Sequence, residues 1–597
     1  MKKCLKQQTN WIWFLACGVL AGLSFLAVGR SLIIGMDADE QYAVTLAYRM
    51  ASGDLMIREI WDPHQTSAIL PALLIKIFLW FTGDSSYLLL YLRMAGTLLQ
   101  AVVSFLWYRV MRSEYGRRPA LLTALVLFHT LPKWIVTPEF ANQQLLFWIL
   151  AILCLYSFAQ RRKSYYCILA GIALCFTVLA YPSCALLFIP YVIWLGRRER
   201  RGAVLLTLTC AAGAAAFMIF LFSGLSFSEF GPYMEQILAD PAHSAGFLEK
   251  LGAYCREAAG LAVYLFIYLL IGLIALGVIY KVVYRGAGLK EAFRGKGSSI
   301  FLAVLCIAAA DQVRMWLFAH TPTVHSQLHY LVLYAMGGFL YHTGSEEKKR
   351  SWNTLYGLAW LPSLAGFGAV LLLTNLDLKA SFVHLLPGML AALLFWCDHG
   401  SRQEVTVGKT VTSSEAGPTG RARIQHQAVS LFRGLALPLL WALFLIGARG
   451  YLVRADEGMP ANVFIVKQKA LYGAAKNVYC SYMTGYQYNS DYLFIEENLE
   501  PGSKALYIGR ELLMVYLMNH MEVCAPSVIS TPVFDERYLK YYEMNPEKKP
   551  EVIIIDKGYF QMMEKTPGFI SDWVKEEYDW EKRKESEFLW IVEAKFH

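Results

Sequence analysis

The sequence predicts an α-helical polytopic membrane protein of about thirteen spans, carrying a small C-terminal α/β domain outside the membrane. Three observations lead there. Apolar residues make up 56% of the 597 and charged residues 17%, too little charge to cover a soluble chain of this length. Apolar runs of about 17 to 25 residues, enough to cross ~30 Å of hydrocarbon, recur along the chain. Basic residues come in short bursts between those runs, which is how topology is written into a membrane protein. The net charge of +9 therefore belongs to the membrane, and nucleic acid is not expected as a partner.

The runs lie near 11–29, 87–108, 119–137, 140–160, 165–181, 183–196, 203–223, 258–280, 299–319, 326–342, 353–374, 380–397 and 431–448. The stretch 67–81 (SAILPALLIKIFLWF) is left out as a helix lying on the outer surface, with Lys76 snorkelling. With that choice 27 basic residues fall inside, from Lys2/Lys3/Lys6 to the Arg402–Arg433 segment, against seven in the outer loops. Had 67–81 crossed, Arg109, Arg112, Arg117 and Arg118 would lie outside. The asymmetry selects an inside N-terminus and an outside C-terminus.

Two outer loops are long, 30–86 and 224–257. The inner loop 398–428 is rich in Gly, Ser and Thr and reads as a connector. The chain divides into a membrane domain, 1–449, and an extracytoplasmic domain, 450–597. In the latter KALYIG (504–509), EVIIID (551–556) and LWIVEAKF (589–596) read as strands, and DWVKEEYDWEKRKE as a polar helix. The twelve cysteines show no CxxC pair or zinc spacing, and most sit in apolar runs as small hydrophobes. Cys480 and Cys524, both in the C-terminal domain, form either a disulfide or two separate thiols.

The first outer loop opens on Asp37-Ala-Asp39-Glu40, directly after a span. Three carboxylates at headgroup level are costly unless solvated or used. A carboxylate there suits general-base work, because an apolar wall raises its pKa. Asp37-x-Asp39 also has divalent-metal spacing, but spacing alone is weak evidence and no metal cofactor is expected. The loop continues through Arg58, Trp61 and Asp62-Pro63-His64.

The acidic pair Asp39-Glu40, followed by a helix closing in Met50-Ala51-Ser52-Gly53-Asp54, resembles the first outer loop of C-type (GT-C) membrane glycosyltransferases. The nearest likenesses are bacterial lipid A aminoarabinose transferases and protein O-mannosyltransferases. That resemblance implies catalytic roles for Asp39, Glu40 and Glu139, the last entering the fourth span. It matches Arg93 to the family's Arg at the start of the second span and His243 to its loop histidine. The chain departs from the pattern where Glu40 replaces an Asp and where Pro63-His64 replaces a Lys-Pro.

Asp311 and Arg314 lie three residues apart on one face of the run 299–319, near its outer end. Charge at that depth suggests function, and a guanidinium there suits a lipid-linked phosphate. His320, His325 and His329 read as polar rim, and Tyr479, Tyr482, Tyr486, Tyr488 and Tyr492 as sugar-stacking or packing residues. No P-loop or dinucleotide fingerprint occurs. The expected activity is inverting sugar transfer from a polyprenyl-phosphate donor to a lipid, protein or cell-wall polymer acceptor. Asp39 is the expected base, with Arg58, His64 and Arg314 the phosphate cations and Asp37, Arg93, His243 and Asp311 lining the substrates. The competing reading is a transporter or flippase of a lipid-linked saccharide, which would favour repeated halves with broken midplane helices.

Overall fold

The computed structural model describes residues 2–239, 247–283, 328–374, 376–411, 420–451, 468–509, 512–528 and 535–595. His243, Asp311, Arg314, His320, His325 and the run 299–319 lie outside the described residues, as does Ala416 of the connector.

The protein is a mostly helical polytopic membrane protein. Seven helices among the described residues are long and apolar enough to cross a bilayer. Helix α1 runs Lys2–Ile33, α2 Ala38–Ser52, α3 Ile69–Thr82, α4 Leu88–Tyr115, α5 Arg117–His129 and α6 Phe140–Arg161. They continue as α7 Tyr165–Ala180, α8 Phe188–Gly196, α9 Arg200–Phe222, α10 Phe227–Leu238 and α11 Phe247–Val283. Further helices cover 328–343, 346–373, 378–411 and 420–451, the second interrupted by a π turn and the third by a 3-10 turn. Helix α6 and the stretch 378–399 are the most enclosed. Their Trp148, Ile152, Leu155 and Leu390 sit with Trp107 of α4 in one apolar core.

Two helices depart from the expected runs. The run 119–137 becomes α5, which stops at His129 after 13 residues, a rise of only ~20 Å. Pro132 and Pro138 cannot supply helical N–H groups, so residues 130–139 form an irregular strap. The strap is almost wholly buried, as non-helical backbone inside a membrane protein must be. It presses on α4 at Gly96, where a Cβ would stand 2.0 Å from the Val136 carbonyl oxygen. The run 183–196 begins as a 3-10 turn over Pro182–Leu187 and becomes α8 only at Phe188.

Among the described residues, the basic bursts near 109–118, 161–163, 197–201 and 348–350 come together at one end of the helical layer. There Glu114 accepts hydrogen bonds from the Tyr156 hydroxyl and from Ser351 (3.4 Å). Arg162 pairs with Glu199 (2.9 Å) and Arg198 reaches Thr354 (3.5 Å). The C-terminal region covers the other end. Its strands are β1 Gln468–Lys469, β2 Tyr479–Cys480, β3 Lys504–Ile508, β4 Glu522–Val523, β5 Val552–Asp556, β6 Lys584–Glu585 and β7 Leu589–Glu593. Five form a sheet ordered β4-β3-β5-β7-β6, parallel across β4-β3-β5 and antiparallel beyond. The expected polar helix lasts only over Ser571–Glu577. Tyr578 then buries its ring and donates to the Pro550 carbonyl (2.8 Å), and the remainder becomes a 3-10 turn at Trp580–Lys582 and the edge strand β6. No disulfide joins Cys480 and Cys524: their thiols approach the carbonyl oxygens of Gln468 (3.6 Å) and Glu522 (3.8 Å).

The segment between α1 and α4 and this α/β region share a second apolar core, in which Tyr42, Leu46, Ile60 and Trp61 meet Leu506, Val515, Tyr541 and Ile554. Main-chain bonds stitch them together: Gly35 N–H to Tyr479 (2.7 Å), Trp61 to Pro526 (2.8 Å) and Leu89 to Ala474 (3.0 Å). The segments flanking α3 join this region, through Asp62 and Ser527 (2.5 Å) before it and Ser85 and Leu517 (3.0 Å) after it. A buried polar knot completes the attachment. Arg49, fully buried, pairs with Asp54 and donates to the Glu59 carbonyl and the Tyr541 hydroxyl (3.0 Å). Lys548 meets Asp54 at 2.7 Å and Glu522 at 2.9 Å.

Candidate active site

The site is built where α1 ends, α2 begins and the strap enters α6. Asp37 is the N-cap of α2, its carboxylate accepting from the Asp39 N–H (2.9 Å). Capping places Asp39 and Glu40 in the first helical turn, where the positive end of the helix favours them. Gly53 ends the helix at φ +117, donating to the Met50 and Arg49 carbonyls, a conformation that side chains disfavour.

The two neighbouring carboxylates meet opposite surroundings. Glu40 is fully buried and forked onto Arg93, with contacts of 2.6 and 3.1 Å. Arg93 also donates to the carbonyls of Leu32 (2.8 Å) and Gly35 (2.6 Å). This pair therefore clamps the end of α1 to the start of α2, and removing one partner would leave a buried charge at a cost of about 3–5 kcal/mol. Asp39 stays half exposed, at 52% of its side chain, and pairs with the Lys133 ammonium at 2.9 Å.

Lys133 comes from the strap, where Trp134 takes a left-handed backbone (φ 56). That conformation is costly for a bulky residue and is typical of functional loops. The Lys133 ammonium also lies 4.2 Å from the centre of the Phe140 ring. The same ring stacks on His64 at 4.1 Å and 4°, and Tyr181 stands 5.9 Å away. Glu139 is the N-cap of α6, accepting from the N–H groups of Ala141 (2.8 Å) and Asn142 (2.7 Å). Burial pushes its pKa up to about 7, against the opposing pull of Lys133 and those two N–H groups, while Asp39 adds to the rise. A carboxyl titrating there is suited to proton and charge work near neutrality.

Of the expected site residues, Asp39, Glu139 and His64 are thus linked through Lys133 and Phe140. Glu40 and Arg93 form the clamp beside them, and Asp37 holds the helix end. Arg58 points elsewhere, with its Nη2 3.4 Å from Glu547 of the C-terminal region. His329 is buried among Tyr330 and Trp441, and of the tyrosines Tyr488 is buried in the C-terminal core. Sequence reasoning passed over Lys133 and Phe140. It also passed over His384, which lies 5.7 Å from Tyr181 and is buried with an Nδ1 that has no hydrogen-bond partner. The signal for Lys133 was a lysine inside an apolar run, next to a proline.

Residues 66–226 match the family model described as dolichyl-phosphate-mannose-protein mannosyltransferase. The match takes in Arg93, Lys133, Glu139 and Phe140. No curated protein matches the chain. Among solved structures the chain is similar to ArnT from Cupriavidus metallidurans bound to undecaprenyl phosphate, at 12% identity and a TM-score of 0.46, covering 98% of each chain. It is also similar to an Archaeoglobus fulgidus oligosaccharyltransferase, at 12% identity and a TM-score of 0.41, covering 94% of this chain and 71% of that one. A third likeness is arabinosyltransferase EmbB from Mycobacterium smegmatis, at 13% identity and a TM-score of 0.32, covering 75% and 41%. The expected resemblance to membrane glycosyltransferases is thereby borne out over residues 66–226, a little over a quarter of the chain.

Proposed function

We propose that the protein moves a sugar from a polyprenyl-phosphate donor to an acceptor hydroxyl on the outer face of the membrane, with inversion at the anomeric carbon. The observation that carries the reading is the trio Asp39, Lys133 and Glu139: an accessible carboxylate, a paired cation and a buried carboxyl of pKa about 7, joined at one helix junction. The family description of the matched segment names a polyprenyl-type phosphate sugar as donor.

In this reading Asp39 takes the proton of the acceptor hydroxyl, and the acceptor oxygen attacks the anomeric carbon from the side opposite the phosphate. The bond from that carbon to the phosphate oxygen breaks, and the electron pair leaves on the lipid phosphate. One displacement needs no covalent enzyme intermediate. Charged Glu139 stabilises the positive character that grows at the sugar ring. His64, beside Phe140, lines the sugar. His243, Asp311 and Arg314 belong to the substrate-binding set, Arg58 stands apart against Glu547, and Glu40 and Arg93 support Asp39.

The topology goes with it. The chain crosses thirteen times, α3 lies along the outer surface, the N-terminus is cytoplasmic, and domain 450–597 is extracytoplasmic and sits over the site. Support comes from the segments flanking α3 bonding to one region and from the described basic bursts at the opposite end.

The test is a donor panel with purified protein in detergent or nanodiscs, containing hexosyl and pentosyl polyprenyl phosphates. Release of free polyprenyl phosphate with at least one member is the expected result, and turnover of nucleotide sugars instead would contradict the reading.

A further inference from the structure

Lys133 holds an unusual position for a lysine. It is the cation paired with Asp39, its ammonium offers three donors, and the paired carboxylate takes one at 2.9 Å. Its side chain is 17% exposed while that of Asp39 is 52% exposed, so an incoming anion can reach the pair from the Asp39 side. The ammonium is held over the Phe140 ring, and the strap that carries it is fixed by close contact with Gly96. Of the described residues expected at the phosphate, Arg58 is engaged with Glu547 and His64 is stacked on Phe140.

We infer that Lys133 is a shared counter-ion: it pairs with Asp39 in the empty enzyme, and the phosphate of the incoming lipid donor takes it over, leaving Asp39 to the acceptor. This rests on the functional reading above and adds an order to it, donor before acceptor. Phosphate is the stronger competitor, because it presents more charge and several acceptor oxygens to an ammonium acting as a point charge. While Lys133 holds Asp39, an acceptor hydroxyl competes with a charged donor for the same oxygen. Once the phosphate holds Lys133, that oxygen is open to the hydroxyl. Lys133 also bears on Glu139, lowering its pKa, so its movement reaches both carboxyl groups.

The shared counter-ion makes a prediction that simple attraction does not. Binding of undecaprenyl phosphate to the full-length protein in nanodiscs should weaken roughly ten- to hundredfold in Lys133→Met, the worth of a charge-assisted hydrogen bond. In Asp39→Asn it should strengthen several-fold, because Lys133 no longer has to leave a carboxylate. In the double variant the gain from Asp39→Asn should disappear. If that gain persists without Lys133, Asp39 only repels phosphate through space and the shared role is overturned. Equal affinity in wild type and Lys133→Met, with unchanged thermal stability, overturns the assignment of Lys133 alone. A wild-type protein that binds no polyprenyl phosphate overturns the functional reading and this inference together.

Discussion

Asp39 and Glu40 show how far neighbouring residues of the same chemistry can diverge when one faces a cleft and the other a core. Their presence in a reactive loop could be read from the sequence, because three carboxylates beside a span are expensive. Their separation could not, because the fate of Glu40 depends on Arg93, 53 residues away. Arg58 was legible as a cation near the loop but not as a partner of Glu547, 489 residues on. Lys133 was hidden by the assumption that 119–137 is one helix, although a lysine in an apolar run is itself a functional hint. Glu139 gives the pH signature at this scale. Its folded pKa of about 7 lies above the usual 4.5, so the carboxylate that stabilises the sugar cation forms only as pH rises through about 7. Transfer should therefore rise across that range, and Glu139→Gln should lower the rate and remove that limb of the kcat/KM profile. A variant that keeps the limb would assign it to another group.

The surface placement of α3 rests on charge arithmetic, since the stretch Gln65–Thr82 that contains it has the hydropathy and length of a span. A helix of 14 residues rises ~21 Å, and the segments before and after it, at Asp62 and Ser85, bond to the same α/β region. Single cysteines at Arg58 and Asp84, flanking α3 in a background without exposed Cys255, should both react with an impermeant thiol reagent from the outer side. If only one reacts, α3 crosses. The failure over 572–585 has the opposite origin, since helical propensity ran on past Tyr578 while tertiary packing of that ring against Pro550 broke the helix. The strands at 504, 551 and 589 were legible because unbroken β-branched and aromatic runs belong to a sheet buried on both faces.

Across the whole molecule, the main feature beyond the reach of the sequence is the fusion of the first outer loop with a region more than 400 residues later. Tyr42, Trp61, Leu506 and Tyr541 share one core, and the Arg49–Asp54–Lys548 knot seals it with buried charge. No local pattern signals such a pairing, because each partner reads only as half of an amphipathic surface. The arrangement makes the α/β region part of the frame that holds α2, and hence Asp39, at the strap. The central claim, that this junction consumes a lipid-phosphate sugar with Asp39 as base, is tested most directly by single-turnover transfer in purified wild type and Asp39→Asn. Asp39→Asn should keep its fold and still bind undecaprenyl phosphate while the rate falls by about 10² to 10⁴. Full activity in Asp39→Asn would contradict the account.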